Sequence, residues 1–178
     1  MSTNFPSQLP PFLASGDPAS ENRPADSYSR GQLGIQFAWG ERAGGDPSSK
    51  WQMAQLDSAV DVAPSAGAVA WWRGNTGYVV TTDVSVAGRG SLAGVFGGTV
   101  TADYICCVQQ QGPASVQIQT SPTSPPDDTG KFVIPSGTDA KADVLAAGTA
   151  PSYPPLGASA GFLSSGLATV DLNIPGRP

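Results

Sequence analysis

The residues best suited to chemistry in this sequence are two adjacent cysteines, Cys106 and Cys107, in the stretch "YICCVQQQG". A thiol acts as a nucleophile or a metal ligand when a base or further soft ligands stand nearby. The chain has no histidine and no third cysteine, so the usual partners of such a thiol are missing. Neighbours in a strand also point to opposite faces, which does not suit a disulfide between them. We therefore interpret both as small packing side chains.

The glycine-rich stretch "AGVFGGTV" precedes the cysteines and could suggest a nucleotide-binding loop. A phosphate loop needs Gly-Lys followed by Ser or Thr, which Gly130 and Lys131 do not provide, and a dinucleotide fingerprint needs a helix after its glycines. We instead predict that Gly97 and Gly98 make a tight turn with positive φ between two strands. Glutamines 109–111 are expected to present a polar face to solvent or to a neighbouring subunit.

Carboxylates offer no better site. The doublet Asp127 and Asp128 lies in "PPDDTGKF", which lacks the alternating oxygen ligands and central glycine of a calcium loop, so a solvated loop is expected. No pair of acids stands out as a candidate for acid and base catalysis. The sequence therefore predicts a protein that is not an enzyme and that uses no cofactor and no metal ion.

Charge and hydropathy bear on the partners. The net charge is −5, and the nine Lys and Arg residues are scattered singly, so we expect no nucleic-acid partner. No run of about 18 apolar residues is present, and the N-terminal stretch lacks the pattern of an export signal. We therefore expect no membrane partner and synthesis in a cytoplasm.

The remaining pattern predicts an all-β chain. Alternating apolar runs lie between turns rich in Gly and Pro and give about ten short strands, which is typical of a compact β-barrel or sandwich. "LGIQFAW" and "KWQMAQL" read as a hairpin, although "MAQLDSAV" also fits a short helix. "AVAWWR" and "GYVVTTDVSV" read as paired strands, and "KFVIP", "AKADVLAAG" and "GLATVDLNIP" as three more.

The predicted organisation is an N-terminal arm, residues 1–31, followed by a barrel-like body, residues 32–178, with an exposed Pro-rich loop at 119–130. Repeated prolines keep the arm from forming a ladder or helix of its own. The arm also carries four apolar side chains that a solvating tail would not need: Phe5, Leu9, Phe12 and Leu13. Two interpretations stay open, a disordered terminus and an arm that orders along a partner.

Trp71 and Trp72 are the aromatic residues that could make an external contact. As neighbours in a strand they face opposite ways, so we expect one in the core and the other facing outward or meeting another subunit. An outward tryptophan would serve a protein interface or form a platform for a sugar.

Residues 68–118 resemble a module of the tailed-bacteriophage head decoration proteins, also called cement proteins. The resemblance lies in a Tyr-x-Val-Thr strand and Asp turn, an Ala-Gly-Val strand, a Gly-Thr-Val-Thr turn, an aromatic-Ile-x-x-Val-Gln strand and a Gly followed by an Ala-x-Val strand. In this sequence these elements fall at residues 78–83, 93–95, 98–101, 104–109 and 112–116. The sequence from "DAKADVLAAG" to "ATVDLNI" resembles the second half of such proteins, where a further strand pair closes the barrel.

The resemblance implies a protein without catalytic chemistry, located on the outer capsid surface of a virion. Its partners would be the major capsid protein and further copies of itself, commonly as a homotrimer at local threefold positions. Phe5, Leu9, Phe12 and Leu13 would then bind the capsid. The alternative is a non-catalytic carbohydrate-binding or receptor-binding β domain on a virion, with Trp71 or Trp72 as its platform.

Overall fold

A computed structural model describes residues 18–25, 33–39, 49–74, 77–85, 92–120, 122–123, 129–151, 154–164 and 166–175. In this part of the chain one sheet contains eleven strands, and a 3₁₀ turn at Pro18–Ser20 is its only helical element. No helix in the same residues is long and apolar enough to cross a membrane. The strands are β1 (Arg23–Pro24), β2 (Gln36–Trp39), β3 (Ser49–Leu56), β4 (Val69–Trp72), β5 (Val79–Thr81), β6 (Leu92–Phe96), β7 (Tyr104–Gln117), β8 (Phe132–Pro135), β9 (Ala142–Val144), β10 (Gly157–Ser164) and β11 (Leu167–Asn173). The predicted all-β class is confirmed.

Five strands close into a barrel in the order β3, β5, β4, β6 and β7, with β7 returning to β3. The pairing of β3 with β5 is parallel, and the other four pairings are antiparallel. Alternate side chains of these strands fill the interior, where small residues leave room for the rings of Trp72 and Phe96. The interior cluster includes Ala54, Leu56, Ala70, Trp72, Val80, Ala93, Phe96, Cys106 and Val108.

The second half of β7 leaves the barrel and starts a second layer. It pairs with β11, and β10, β8 and β9 follow in that order. A parallel bridge between Ile118 and Ala142 brings β9 back to the end of β7. The apolar side of this layer packs against the outer side chains of β4 and β6. The shared cluster includes Val69, Trp71, Leu92, Val95, Val116, Val133, Val144, Val170 and Leu172.

A β-bulge at Gly94 places Leu92 and Val95 of β6 in the same cluster, although they are three residues apart. The register shifts by one residue here, because Ala70 lies opposite Gly94 while Trp71 lies opposite Leu92. Gly94 has a φ of 154°, and a methyl group on it would lie 2.5 Å from the carbonyl oxygen of Gln109. Only glycine tolerates both conditions, so this residue allows β6 to pack closely against β7.

The predicted hairpins are confirmed. In the first, β2 and β3 are antiparallel with Phe37 opposite Trp51, and in the second, β4 and β5 are antiparallel with Trp72 opposite Val80. The helical alternative for "MAQLDSAV" is wrong, because the strand runs on to Leu56. Strands β1 and β10 were not predicted. The segment "GASAGFLS" of β10 has too few large apolar residues for a visible alternation.

The two tryptophans do point to opposite faces, as predicted, but the expectation that one faces outward is wrong. Trp71 is 6% exposed and Trp72 is 4% exposed. Trp72 lies inside the barrel, with its ring edge-to-face to Tyr78 at a centroid separation of 5.9 Å. The Trp71 side chain lies on the outer face of β4, where the second layer covers it. Neither ring is open to a sugar or to another subunit.

Replacing Trp71 by alanine should therefore destabilise the fold. We expect a loss of about 3–5 kcal/mol in the free energy of unfolding, since the change empties a large space between two packed layers. Urea denaturation followed by circular dichroism measures this loss. The matched control is Phe132→Ala, because Phe132 is 44% exposed, and there we expect a change of about 1 kcal/mol or less. Equal, small effects for both variants would contradict the placement of Trp71.

Candidate interaction surface

The segment of residues 18–25, here called the strap, lies on the body beside the start of β7. Its strand β1 is antiparallel to β7, with Arg23 opposite Ile105 and Pro24 opposite Tyr104. The Asn22 side chain donates to Thr101 Oγ1 at 3.2 Å and accepts from the Thr101 amide at 2.9 Å. The strap falls within the predicted arm, residues 1–31, and its short ladder is formed with β7 of the body rather than by the arm alone; this pairing was not predicted. The missing signal was a free edge on β7, which no local pattern reveals.

Gly97 and Gly98 form the surface on which the strap rests. A methyl group on Gly97 would lie 2.4 Å from Ala19 Cα, and one on Gly98 would lie 2.6 Å from the Ala19 carbonyl oxygen. Neither glycine has a positive φ, so the predicted reason for them is wrong. Glycine is required here because another backbone approaches closely.

Under and beside the strap lies an apolar patch on the outside of the barrel, here called the β3–β7 outer face. It consists of Trp51, Met53, Ile105 and Cys107, all buried. Ala19 and Ala25 of the strap pack against this patch from one stretch of chain, and Leu33 and Phe37 pack against it from another. The body thus has an apolar outer face that the N-terminal part of the chain covers.

The predicted packing role of the two cysteines agrees with their positions. Cys106 belongs to the barrel interior and Cys107 to the β3–β7 outer face, and neither forms a disulfide. Burial raises the pKa of the Cys106 thiol strongly, and the nearby charge of Glu21 adds a smaller contribution. At neutral pH this thiol therefore stays protonated, which is the unreactive form.

Glu21 is the charged residue of the strap that is most removed from water. Its side chain is 10% exposed and forms an ion pair with Arg23. Burial raises the pKa of Glu21, and the charge of Arg23 and the hydrogen bond from it act in the opposite direction without cancelling the effect. At this buried position the ionised carboxylate of Glu21 is thus less stable, relative to the neutral acid, than it would be in water.

The stability of the chain should consequently decline as Glu21 ionises. Because the pKa of Glu21 is higher in the folded chain than its ordinary value of 4.5, its favourable contribution is complete below pH 4.5 and is lost as pH rises through the raised value. Glu21→Gln should remove this decline. Urea midpoints measured from pH 4 to pH 7 for both proteins test the prediction. Parallel pH profiles would contradict it.

Three carboxylates that sequence patterns did not single out meet beside the β5 end of the barrel. Carboxylate oxygens of Asp61, Asp83 and Asp139 all lie within 4.8 Å of one another. The Ser85 amide donates to Asp83 at 2.7 Å, and the Val84 amide donates to Asp139 at 2.9 Å. Asp83 and Asp139 thus already serve as acceptors that hold the turn after β5. The three residues are far apart in sequence, so no spacing motif could have found them.

Asp139→Ala should weaken the attachment of this turn to the body. The change leaves the Val84 amide without its acceptor, and we expect a loss of about 1 kcal/mol or more in the free energy of unfolding. Asp61→Ala is the matched control, because Asp61 is exposed and its removal only lowers the repulsion within the trio. Thermal denaturation of both variants measures the difference. A loss for Asp61→Ala as large as that for Asp139→Ala would contradict this account.

The glutamines after the cysteines were expected on a polar outer face, and for two of them this is wrong. Gln110 is buried; its amide group donates to Gln52 Oε1 at 2.6 Å and to the Ala93 carbonyl at 3.1 Å. Gln109 is also buried, and it donates to the carbonyls of Gln111 and Pro113. The side-chain amide group of each buried glutamine donates to an acceptor, which removes the main free-energy cost of burying it.

Other predicted sites lie partly or wholly outside the described residues. Phe5, Leu9, Phe12 and Leu13 lie outside them, as do Asp127 and Asp128. In the predicted loop 119–130, Thr120, Thr123 and Gly130 are exposed, as expected. The Asp143 carboxylate accepts two hydrogen bonds from Thr123, one from the amide at 2.7 Å and one from the hydroxyl at 2.6 Å.

Comparison with known proteins adds no relative for this chain. A scan against protein-family models matched none. A search of curated proteins found no match either. The function must therefore be inferred from the residues and the geometry described above.

Proposed function

We propose that this chain is a structural virion protein that binds the outside of an icosahedral phage head and clamps neighbouring major capsid subunits. The observation that carries the proposal is the docked strap. Ladder pairing at Arg23 and Pro24 and the Asn22 contact with Thr101 hold this segment on the barrel. The described part of the chain therefore begins at a fixed place on the body, at Pro18 beside β7. The sequence resemblance of residues 68–118 to head decoration proteins supports the same function.

A clamp of this kind works by linkage. A protein that binds only the assembled lattice stabilises that lattice by the free energy of its own binding, and several arms on one oligomer multiply the effect. Ordering an arm costs about 1–2 kcal/mol per residue in backbone entropy. Phe5, Leu9, Phe12 and Leu13 would offset that cost by burying apolar surface on the capsid. In this proposal the protein acts as a homotrimer, needs no cofactor and catalyses no reaction.

The alternative of a sugar-binding or receptor-binding domain loses its candidate platform. It depended on an outward ring at Trp71 or Trp72, and both rings are buried within the single chain. The three large apolar residues exposed in the described part of the chain are Ile35, Val62 and Phe132. They belong to three different segments of the chain.

The proposal is tested by removing the arm while keeping the strap. Deletion of residues 1–17 leaves the described body complete, so the truncated protein should keep its unfolding midpoint but no longer co-sediment with empty expanded heads. A second variant replaces Phe5, Leu9, Phe12 and Leu13 together by serine, and we expect the same loss. Its matched control replaces Ser2, Ser7 and Gln8 by alanine, which preserves the four apolar side chains and should preserve binding.

Imaging the heads decorated with the intact protein locates the bound copies. We expect added density at the local threefold positions. Failure of the intact protein to bind heads would overturn the proposed function. Unchanged binding by both arm variants would overturn the role of the arm and leave the body as the binding surface.

A further inference from the structure

We infer that the buried side chains of Gln52 and Gln110 act as a register lock. They decide which residue of β7 stands without an opposite residue on β3, at the point where β7 passes from the barrel to the second layer. This role belongs to the free protein and does not rest on the proposed function. A break in one strand ladder, the strands that meet at the break and the repeated glutamines found there support it.

The ladder between β3 and β7 has one irregular step. Trp51 lies opposite Gln109, but the neighbouring residue of β3, Lys50, lies opposite Gln111. Gln110 is therefore the extra residue of a β-bulge and has no opposite residue on β3. The ladder between β7 and β11, which ends at Gln111, keeps a constant register. Gln110 thus marks the place where β7 changes partners.

Gln110 makes hydrogen bonds to three other strands or their ends. Its carbonyl accepts from the amide of Ile174, directly after β11, at 2.9 Å. Its side-chain amide donates to Gln52 Oε1 of β3 at 2.6 Å and to the Ala93 carbonyl of β6 at 3.1 Å. Gln52 in turn donates to the Gly34 carbonyl at 3.2 Å. One residue of β7 therefore joins β3, β6 and the end of β11.

Both side-chain amides of the lock are held away from water. Gln52 is fully buried and Gln110 is 2% exposed. A buried amide group is costly wherever it lacks a partner, so a register that carried Gln110 away from Gln52 would be penalised. An apolar pair of similar size would fill the same space without this penalty. A buried polar residue can fix register in this way, at some cost in stability.

The local sequence does not select Gln110 as the extra residue. Residues 109–111 are three consecutive glutamines, so the bulge could lie one position earlier or later with the same residue type. With the extra residue at Gln109, Trp51 would lie opposite Gln110. With it at Gln111, Lys50 would lie opposite Gln110. Backbone groups do not distinguish these registers, because every glutamine carries the same donor and acceptor. The side-chain contacts of Gln110 do distinguish them.

Replacement by methionine tests the lock, because methionine is unbranched, adapts to irregular spaces and has no strong donor or acceptor. Gln110→Met removes the donor to Gln52 and to the Ala93 carbonyl. Gln52→Met breaks the same pair from β3 and keeps the bond to Ala93. The double variant removes both members of the pair. The matched control is Gln55→Met, because Gln55 is also on β3 but donates to Asp103 at an exposed position.

Nuclear magnetic resonance of the folded protein reports the register. Cross-strand contacts between backbone protons should join Trp51 to Gln109 and Lys50 to Gln111 in the unchanged protein. A displaced bulge joins Trp51 or Lys50 to residue 110 instead. The number of amide signals for residues 49–53 and 108–112 shows whether one register or several are populated. Urea midpoints report the stability of each variant separately.

We expect the unchanged protein and Gln55→Met to show one set of signals with the native contacts. The double variant should populate a second register at about one tenth or more of the main one, and a ratio of ten corresponds to about 1.4 kcal/mol between registers. Each single variant should show the second register to a smaller extent. The urea midpoint of the double variant should fall by less than the sum of the two single falls, because the two side chains act as a pair.

A single native register in every folded variant of the pair would overturn the inference, even with lowered urea midpoints, because the pair would then contribute stability alone. A second register in Gln55→Met would also overturn it, since the effect would not be particular to the buried pair. Unfolding of all three pair variants beside a folded Gln55→Met would likewise assign Gln52 and Gln110 to stability rather than to register.

Discussion

Strand β7 carries the backbone hydrogen bonds of both layers, and the rest of the structure depends on this shared ladder. The first half of its fourteen residues pairs with β3 and closes the barrel, and the second half pairs with β11 and starts the second layer. Buried peptide groups must keep their partners, so neither layer can shift along β7 without breaking its own ladder. Gln109 and Gln110 lie at the changeover, where their amide groups bond to backbone and to Gln52.

The shared ladder also explains why so many strands are covered on both faces. Side chains on one face of β3, β4, β6 and β7 fill the barrel interior. The second layer covers the other side of β4 and β6, and the N-terminal part of the chain covers the other side of β3 and of the start of β7. Neighbouring residues of one strand therefore enter different clusters, as Trp71 and Trp72 do, and likewise Cys106 and Cys107. The barrel thus gains a core on each side without an α-helix in the described residues.

This arrangement joins a barrel with closed ladders to an N-terminal segment that lies on the outside of the barrel. The body offers closed ladders, and its two cysteines are buried packing residues rather than reactive groups. The strap offers small residues, two prolines and a partly compensated buried carboxylate. Such a division suits the proposed function, binding through an arm, because the residues that precede the strap would start from a segment that the body holds in place.

The amino-acid sequence by itself determined the all-β class, the two hairpins around β3 and β4 and the packing role of the cysteines, because alternation and turn residues act over short distances. Tertiary structure decided the burial of Trp71, the inward turn of Gln110, the purpose of Gly97 and Gly98, and the docking of the strap. A period of two says which residues share a face of a strand. It does not say whether that face meets solvent, a second layer or a returning segment of chain, since the covering residues lie far away in sequence.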